Sequence, residues 1–304
     1  MFKKQWCLLL IGLLLAFQSI GYAEGTGSDA PKQGMTAEEF VASLKFQKGK
    51  IDLPQGIATL NLPDSFAYLN PDDAEKVLVS AWGNPPGNRT LGMIFPSGIS
   101  PVSQGAWGVV ITYDEDGHVN DSDADSINYD DLLKEMQEGM QAANEERKKQ
   151  GYDGLALVGW AEKPTYDKIN HKLYWAKELN ADGATEHTLN YNIRALGRKG
   201  VLVLNAIALM SQIEDIKAEM PTILAATEFT KGNTYAEFDS SVDKTAEYGL
   251  AALVAGGVAA KLGLFGKLFA VILAFKKVLV LGVIALWAGI QKLLGMKKDK
   301  QQNL

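Results

Sequence analysis

Four stretches of this chain alternate polar and apolar residues, and their polar positions carry the groups able to do chemistry. Trp160 and Glu162 stand on the first stretch, Lys172, Tyr174 and Glu178 on the second, Asn190, Asn192 and Arg194 on the third, and Asn205 on the fourth. Residues two apart on a strand share a face, so register decides which of these groups meet. Gly197-Arg198-Lys199-Gly200 reads as a hairpin turn of two residues between glycines. Closure there pairs Ala195 with Leu202, Ile193 with Leu204 and Tyr191 with Ala206 on one face. The other face then pairs Arg194 with Val203 and Asn192 with Asn205. The preceding turn, around Ala181-Asp182-Gly183-Ala184, is expected to pair Leu173 with Ile193, Trp175 with Tyr191 and Lys177 with Leu189. Tyr174 then lies by Asn192, Glu178 by Thr188 and Lys172 by Arg194, with Trp160 opposite Tyr174 and Glu162 opposite Lys172.

One face of such a sheet is core, and the other gathers all nine polar and aromatic groups. That face reads in two ways. It is the solvated side of an antiparallel sheet, carrying Glu–Lys and Tyr–Asn pairs across strands. Or it is a binding surface, since amides on an aromatic floor suit a sugar or a peptide backbone. Catalysis demands more: an acid or base perturbed by its place in a cleft. A hydrolase-like alternative would use Glu162 or Glu178 with Tyr174 and Arg194 nearby.

Other chemistries lack their residues. The chain has three histidines; His171 and His187 begin successive strands at opposite ends of a hairpin, and no four ligands are spaced for zinc. Asp121, Asp123 and Asp125 resemble the start of a calcium loop, but Ser126 stands at its glycine position and Leu132 at its closing glutamate. Ser97-Gly98 and Ser211 lie in no nucleophile elbow, and no phosphate-binding or dinucleotide fingerprint is present. No metal and no cofactor is expected.

The elements that must position these groups follow from periodicity. Thr36-Ala37-Glu38-Glu39 has the form of a capping box, opening a helix from Ala37 to Leu44. Gly49 to Leu60 reads as a hairpin around Pro54-Gln55-Gly56, Pro71 to Ala81 as a short helix, and Trp82 to Gly87 as a loop. Trp107 to Tyr113 alternates as a strand does and ends in the turn Asp114 to Gly117. Leu132, Leu133, Met136 and Met140 set the apolar face of a helix from Tyr129 to Lys149. Four strands follow, Leu155 to Glu162, His171 to Leu179, His187 to Leu196 and Val201 to Leu209. A helix from Ser211 to Ala226 and a last strand from Thr234 to Phe238 complete the series. The order argues for an α+β fold, an antiparallel sheet with flanking helices, followed by a membrane-embedded helical segment.

The two ends carry the targeting signals. Lys3 and Lys4, the apolar run Cys7 to Phe17 and the small residues of Gly21-Tyr22-Ala23 make residues 1–23 a signal peptide. The chain's single cysteine, Cys7, lies within it, so the mature domain would have no disulfide. Residues 24–245 are then a periplasmic α+β domain, and 246–304 a membrane anchor with a basic tail. Residues 250–294 provide the contact with the bilayer: Leu250 to Phe275 is long enough to span it, and Val278 to Leu294 follows nearly free of charge. The lysines at 276–277 and 297–300 favour one inward span plus an interfacial or re-entrant segment over two full spans. Gly256, Gly257, Gly263 and Gly266 permit close helix approach and hence a homo-oligomer.

Charge separates along the same boundaries. The whole chain has 30 basic and 36 acidic residues, a net −6. The signal holds two lysines, and the segment from Ala246 onward holds eight lysines and two acids. The middle is left with 20 basic and 34 acidic residues, a net −14. An acidic domain of that kind is a poor candidate for nucleic-acid binding and is repelled by an anionic bilayer surface. The expectation is a binding or interaction module in the periplasm, anchored in the bacterial inner membrane, with a protein, peptide or glycan partner.

The run Gly159-Trp160-Ala161-Glu162-Lys163-Pro164 with Tyr166-Asp167, followed by His171 to Leu179 (HKLYWAKEL), resembles the signature of a domain-of-unknown-function family of bacterial membrane-anchored proteins. Leu189 to Arg194, Gly200-Val201-Leu202 and Gly249 to Gly257 continue the likeness. The resemblance implies an exported, anchored protein and brings no activity with it.

Overall fold

The computed structural model describes residues 35–84, 86–87, 90–149 and 153–256. Helix α1 (Ala37–Ala42) opens with the expected capping box, in which the backbone N–H of Glu39 donates to the Thr36 hydroxyl and the Glu39 carboxylate accepts from the Thr36 N–H. Strands β1 (Gly49–Asp52) and β2 (Ala58–Leu62) form the expected hairpin. Strand β3 (Phe66–Leu69) leads into α2 (Pro71–Lys76), which is capped by Asn70 and continues through one π-turn to Ala81. Then come β4 (Gly92–Pro96), β5 (Gly108–Asp114), β6 (His118–Asn120) and the long α3 (Tyr129–Lys149). Strands β7 (Leu155–Asp167), β8 (Lys172–Ala181), β9 (Thr188–Leu196) and β10 (Val201–Leu209) follow. Helix α4 (Ile213–Ala226), β11 (Thr227–Phe229), β12 (Thr245–Gly249) and α5 (Leu250–Ala255) complete the described chain.

Seven of these strands make one antiparallel sheet in the order β3-β4-β5-β10-β9-β8-β7. Its two faces are both covered. On the first, Tyr191, Ile193, Leu202, Leu204 and Ile111 pack with Ile216, Met220 and Ile223 of α4 and with the small sheet β1-β2-β11. On the second there are two separate apolar clusters. One joins Met93, Phe95, Val110 and Ile207 to Ala74, Val77 and Leu78 around α2. The other joins Leu173, Trp175, Val201 and Val203 to Leu132 and Met136 of α3 and to Leu250, Leu253 and Val254 of α5.

The β9–β10 pairing is the one the sequence specifies, with Ala195 opposite Leu202, Ile193 opposite Leu204 and Asn192 opposite Asn205. The β8–β9 pairing is not. It is shifted by one residue: Tyr174 faces Ile193, Trp175 faces Asn192 and Lys177 faces Asn190. The expected register assumed one wet face, which Trp175 and Leu173 had to avoid. With both faces buried, the large apolar residues fit either side and alternation loses its power to choose. Strand β7 is also longer than expected and carries three irregularities, so Trp160 faces Lys177 and Glu162 faces Ala176.

Three more differences have local causes. Strands β3 and β4 escape a search for alternation because nearly every residue in them is buried. The expected strand at 234–238 is a 3₁₀ turn, Tyr235–Glu237, because the Glu237 carboxylate takes up the Thr234 hydroxyl and N–H locally. Leu250 to Ala255, expected to begin a membrane span, form the short α5, with three residues buried in the core. Among the described residues no helix is long and apolar enough to cross a membrane. The signal segment 1–23 and the anchor beyond residue 256 lie outside the described residues.

Gly200 tests the hairpin directly. A Cβ there would overlap the Asp114 carbonyl on β5 and press on the Tyr113 phenol. Gly200→Ala is therefore expected to lower stability by about 1–3 kcal/mol, read as a fall in the urea midpoint with an unchanged slope.

Candidate functional site

The register shift divides the nine groups expected on one surface. Trp160, Asn190, Asn192, Arg194 and Asn205 remain together on the second face, joined there by Trp175 and Lys177. Lys172, Tyr174, Glu162 and Glu178 are carried to the first face. The surface is also not a solvated one: Asn190, Asn192 and Asn205 are buried polar residues, and Trp175 is 1% exposed.

On the second face these side chains form a polar seam between the two apolar clusters. Asn192 donates through Nδ2 to Oδ1 of Asn190 at 2.8 Å and to its carbonyl at 2.9 Å. Arg194 donates through Nη1 to Oδ1 of Asn205 at 3.1 Å and to the Ile193 carbonyl at 3.0 Å. Its guanidinium carbon stands 5.0 Å from the centroid of the Trp175 ring, within cation–π range. Trp175 Nε1 is buried and finds no acceptor. Burial pulls the Lys177 ammonium down to about 8, and the Arg194 charge adds to that effect. Burial likewise pulls the Arg194 guanidinium down to about 10, against the pull of Asp114 and Tyr248. The seam concentrates donors and positive charge in a place where both are costly. Trp160 stands at its β7 end, where its indole N–H donates to the Tyr129 carbonyl at the start of α3.

The four residues on the first face have separate tasks. Lys172 donates from Nζ to the Leu224 carbonyl at 2.7 Å and reaches Thr227 at 3.5 Å, a cation at the C-terminal end of α4. Glu178 binds the His187 ring at 2.6 Å. Glu162 lies beside the Tyr191 phenol, whose pKa is raised first by burial and then by that carboxylate, while its Oε2 is buried without a partner. Tyr174 packs against the core on the same side. The grouping of Glu162 or Glu178 with Tyr174 and Arg194 on which the hydrolase-like reading relied is not assembled, because the sheet itself separates Arg194 from the other three.

A second constellation was not visible in the sequence. At the end of the sheet near the β9–β10 turn, four rings stack in the order Phe238, His118, Tyr235, His171. The centroid distances are 3.9, 4.2 and 4.0 Å. Tyr166 donates to Asp121 Oδ2 at 2.6 Å and lies 3.2 Å from the His171 Nδ1. His171 itself has a positive φ of 50°, a conformation uncommon outside glycine. His118 Nδ1 is buried without a partner, and burial pushes its pKa below the usual histidine value despite Gly197, Asp121 and Asp243. Burial works against the Asp121 charge, but the Tyr166 and Tyr235 phenols and His171 outweigh it and hold the carboxyl low. His118, Asp121, Tyr166, His171 and Tyr235 come from four separate segments, so no spacing could have announced them. Among the described residues no three His, Cys, Asp or Glu side chains converge to hold a metal.

Comparison with known proteins places the chain. The family described as protein of unknown function, DUF2167, matches residues 45–287. The chain belongs to the DUF2167 family. No curated protein matches it. Among solved structures, cyanobacterial PsbP (CyanoP) from Synechocystis sp. PCC 6803 is 12% identical, with a TM-score of 0.32 over 67% of this chain and 98% of its own. LpqN, involved in cell envelope biogenesis of Mycobacterium tuberculosis, is 15% identical, with a TM-score of 0.31 over 65% and 99%. The Saccharomyces cerevisiae Ran-binding protein Mog1p is 10% identical, with a TM-score of 0.32 over 64% and 100%. These scores are too low for the likenesses to bear on function.

The ring stack gives this DUF2167 protein a testable acid response. A folded-state pKa below the unfolded one means that His118 contributes stability above the ordinary value of 6.5, which is lost as pH falls through the folded value. His118→Phe keeps the stack and removes the titrating nitrogens. Thermal unfolding of the wild type is expected to fall more steeply than that of the variant below pH 6.5; parallel curves would show that His118 does not titrate on unfolding.

Proposed function

We propose that this DUF2167 protein is a membrane-anchored component of the bacterial envelope whose α+β body binds a protein, peptide or glycan partner in the periplasm. Residues 1–23 would direct export, the body would stand in the periplasm, and the segment beyond α5 would hold the chain in the inner membrane. The net −14 between the two ends favours a body held off the lipid surface. Self-association through Gly256, Gly257, Gly263 and Gly266 fits the same arrangement.

The observation that carries the binding reading is the seam. A sheet face destined only for packing gains most from an unbroken apolar layer. Here three buried asparagines interrupt that layer beside the half-buried Arg194 and Lys177, and the Trp175 indole N–H remains without an acceptor. Buried polar groups ordinarily find partners, and a recognised molecule supplies them.

Site-specific photo-crosslinking in cells tests this. Thr112 lies beside Val203, which in turn faces Arg194, whereas Val242 is 73% exposed and distant in sequence. A photoreactive residue at 112 is expected to capture a discrete envelope partner that position 242 does not. Equal labelling from both positions, or recovery of the chain in the soluble cytoplasmic fraction, would count against the proposal.

A further inference from the structure

We propose that the seam on β8, β9 and β10 is a subsite for an oxyanion, the phosphate or carboxylate group of the molecule this domain binds. The inference rests on the binding reading above and specifies its chemistry. It stands on the sign of the unpaired groups. Trp175 Nε1 is a donor only, is 1% exposed and has no acceptor. Arg194 spends Nη1 on Asn205 and Ile193, and the guanidinium lies against the Trp175 ring. A fork of further N–H donors is left. Lys177 faces Asn190 on the neighbouring strand, two residues along β8 from Trp175 and on the same face. The charge acting on its ammonium is that of Arg194, another cation. Lys177 and Arg194 thus flank the buried Trp175 N–H on one face, and two half-buried cations about a buried donor call for negative oxygen.

Among the described residues no carboxylate forms an ion pair with Lys177 or Arg194. The acid whose field reaches Arg194 is Asp114, exposed at the end of β5. An oxyanion satisfies three needs at once: it pairs the lysine, accepts from the free edge of the guanidinium, and takes the indole N–H. The asparagines then hold Arg194 and its neighbours in place.

Thermal unfolding of the full-length chain in detergent tests this against inorganic phosphate and acetate, each matched in ionic strength with chloride. A saturable rise in Tm above the chloride control is expected with one of them, and which one tells a phosphate from a carboxylate source. Lys177→Met keeps the length of the side chain and removes the charge. It is expected to fold, to be at least as stable as the wild type without ligand, and to lose about tenfold or more in apparent affinity. Trp175→Phe, which removes only the N–H, is expected to lose about fivefold. Chloride matching both anions, or both variants responding as the wild type does, would overturn the proposal. Partner capture at position 112 that survives Lys177→Met would also sink the oxyanion assignment while leaving the binding surface. An oxyanion response without any captured partner would keep the subsite and remove the envelope-partner reading.

Discussion

Gly197 and Gly200 close the β9–β10 hairpin at a point where no side chain fits, and both faces of the sheet take their composition from that closure. A Cβ at Gly197 would stand 2.7 Å from the Phe229 ring and 3.0 Å from the Asn233 carbonyl, while Gly200 is pressed on β5. The Gly197 N–H donates to the Gly200 carbonyl at 2.8 Å. With the turn fixed, even-numbered residues of β9 and odd-numbered residues of β10 share one face. Asn190, Asn192, Arg194 and Asn205 are therefore together, and Tyr191, Ile193, Leu202 and Leu204 lie behind them. β8 adds to this frame, β5 borders it, and the helices settle on what each face presents.

Two kinds of core result. The face under α4 packs one apolar cluster, and its charged residues Lys172, Glu162 and Glu178 each take a separate local place beside it. The other face is broken into two clusters by the seam, with α2 on one side and α3 and α5 on the other. Interrupting an apolar layer with cations costs free energy that packing alone does not return. The orphaned indole N–H of Trp175 and the lowered Lys177 and Arg194 mark where that cost falls. A recognition site is the physical setting in which such a cost has a return, since binding then supplies the missing acceptors.

The stacked rings at the turn end serve the same frame. Tyr235 lies between His118 and His171 and donates to the Val119 carbonyl, while Arg198 in the β9–β10 turn binds Asp243 at 2.7 Å. These contacts tie the segment between β11 and β12 to the hairpin. From there β12 pairs in parallel with β6 and delivers α5 to the core.

The sequence by itself determined the elements with a strong local signature. The Thr36–Glu39 capping box, the full extent of α3 and the register of β9 on β10 follow from short-range chemistry: a side chain reaching its own helix, a 3.6-residue period, a two-residue turn between glycines. Five of the candidate residues, Trp160, Asn190, Asn192, Arg194 and Asn205, were legible as one face for that reason. Tertiary structure decided the rest. Whether Trp175 or Tyr174 joins that face depends on a one-residue choice in β8, and alternation makes that choice only when one side of the sheet is wet. Here both sides are covered, so the packing of α3, α4 and α5 made it. The same packing turned an expected polar surface into a buried seam, brought Trp175 and Lys177 to the face of Arg194, and carried Lys172, Tyr174, Glu162 and Glu178 to the opposite side.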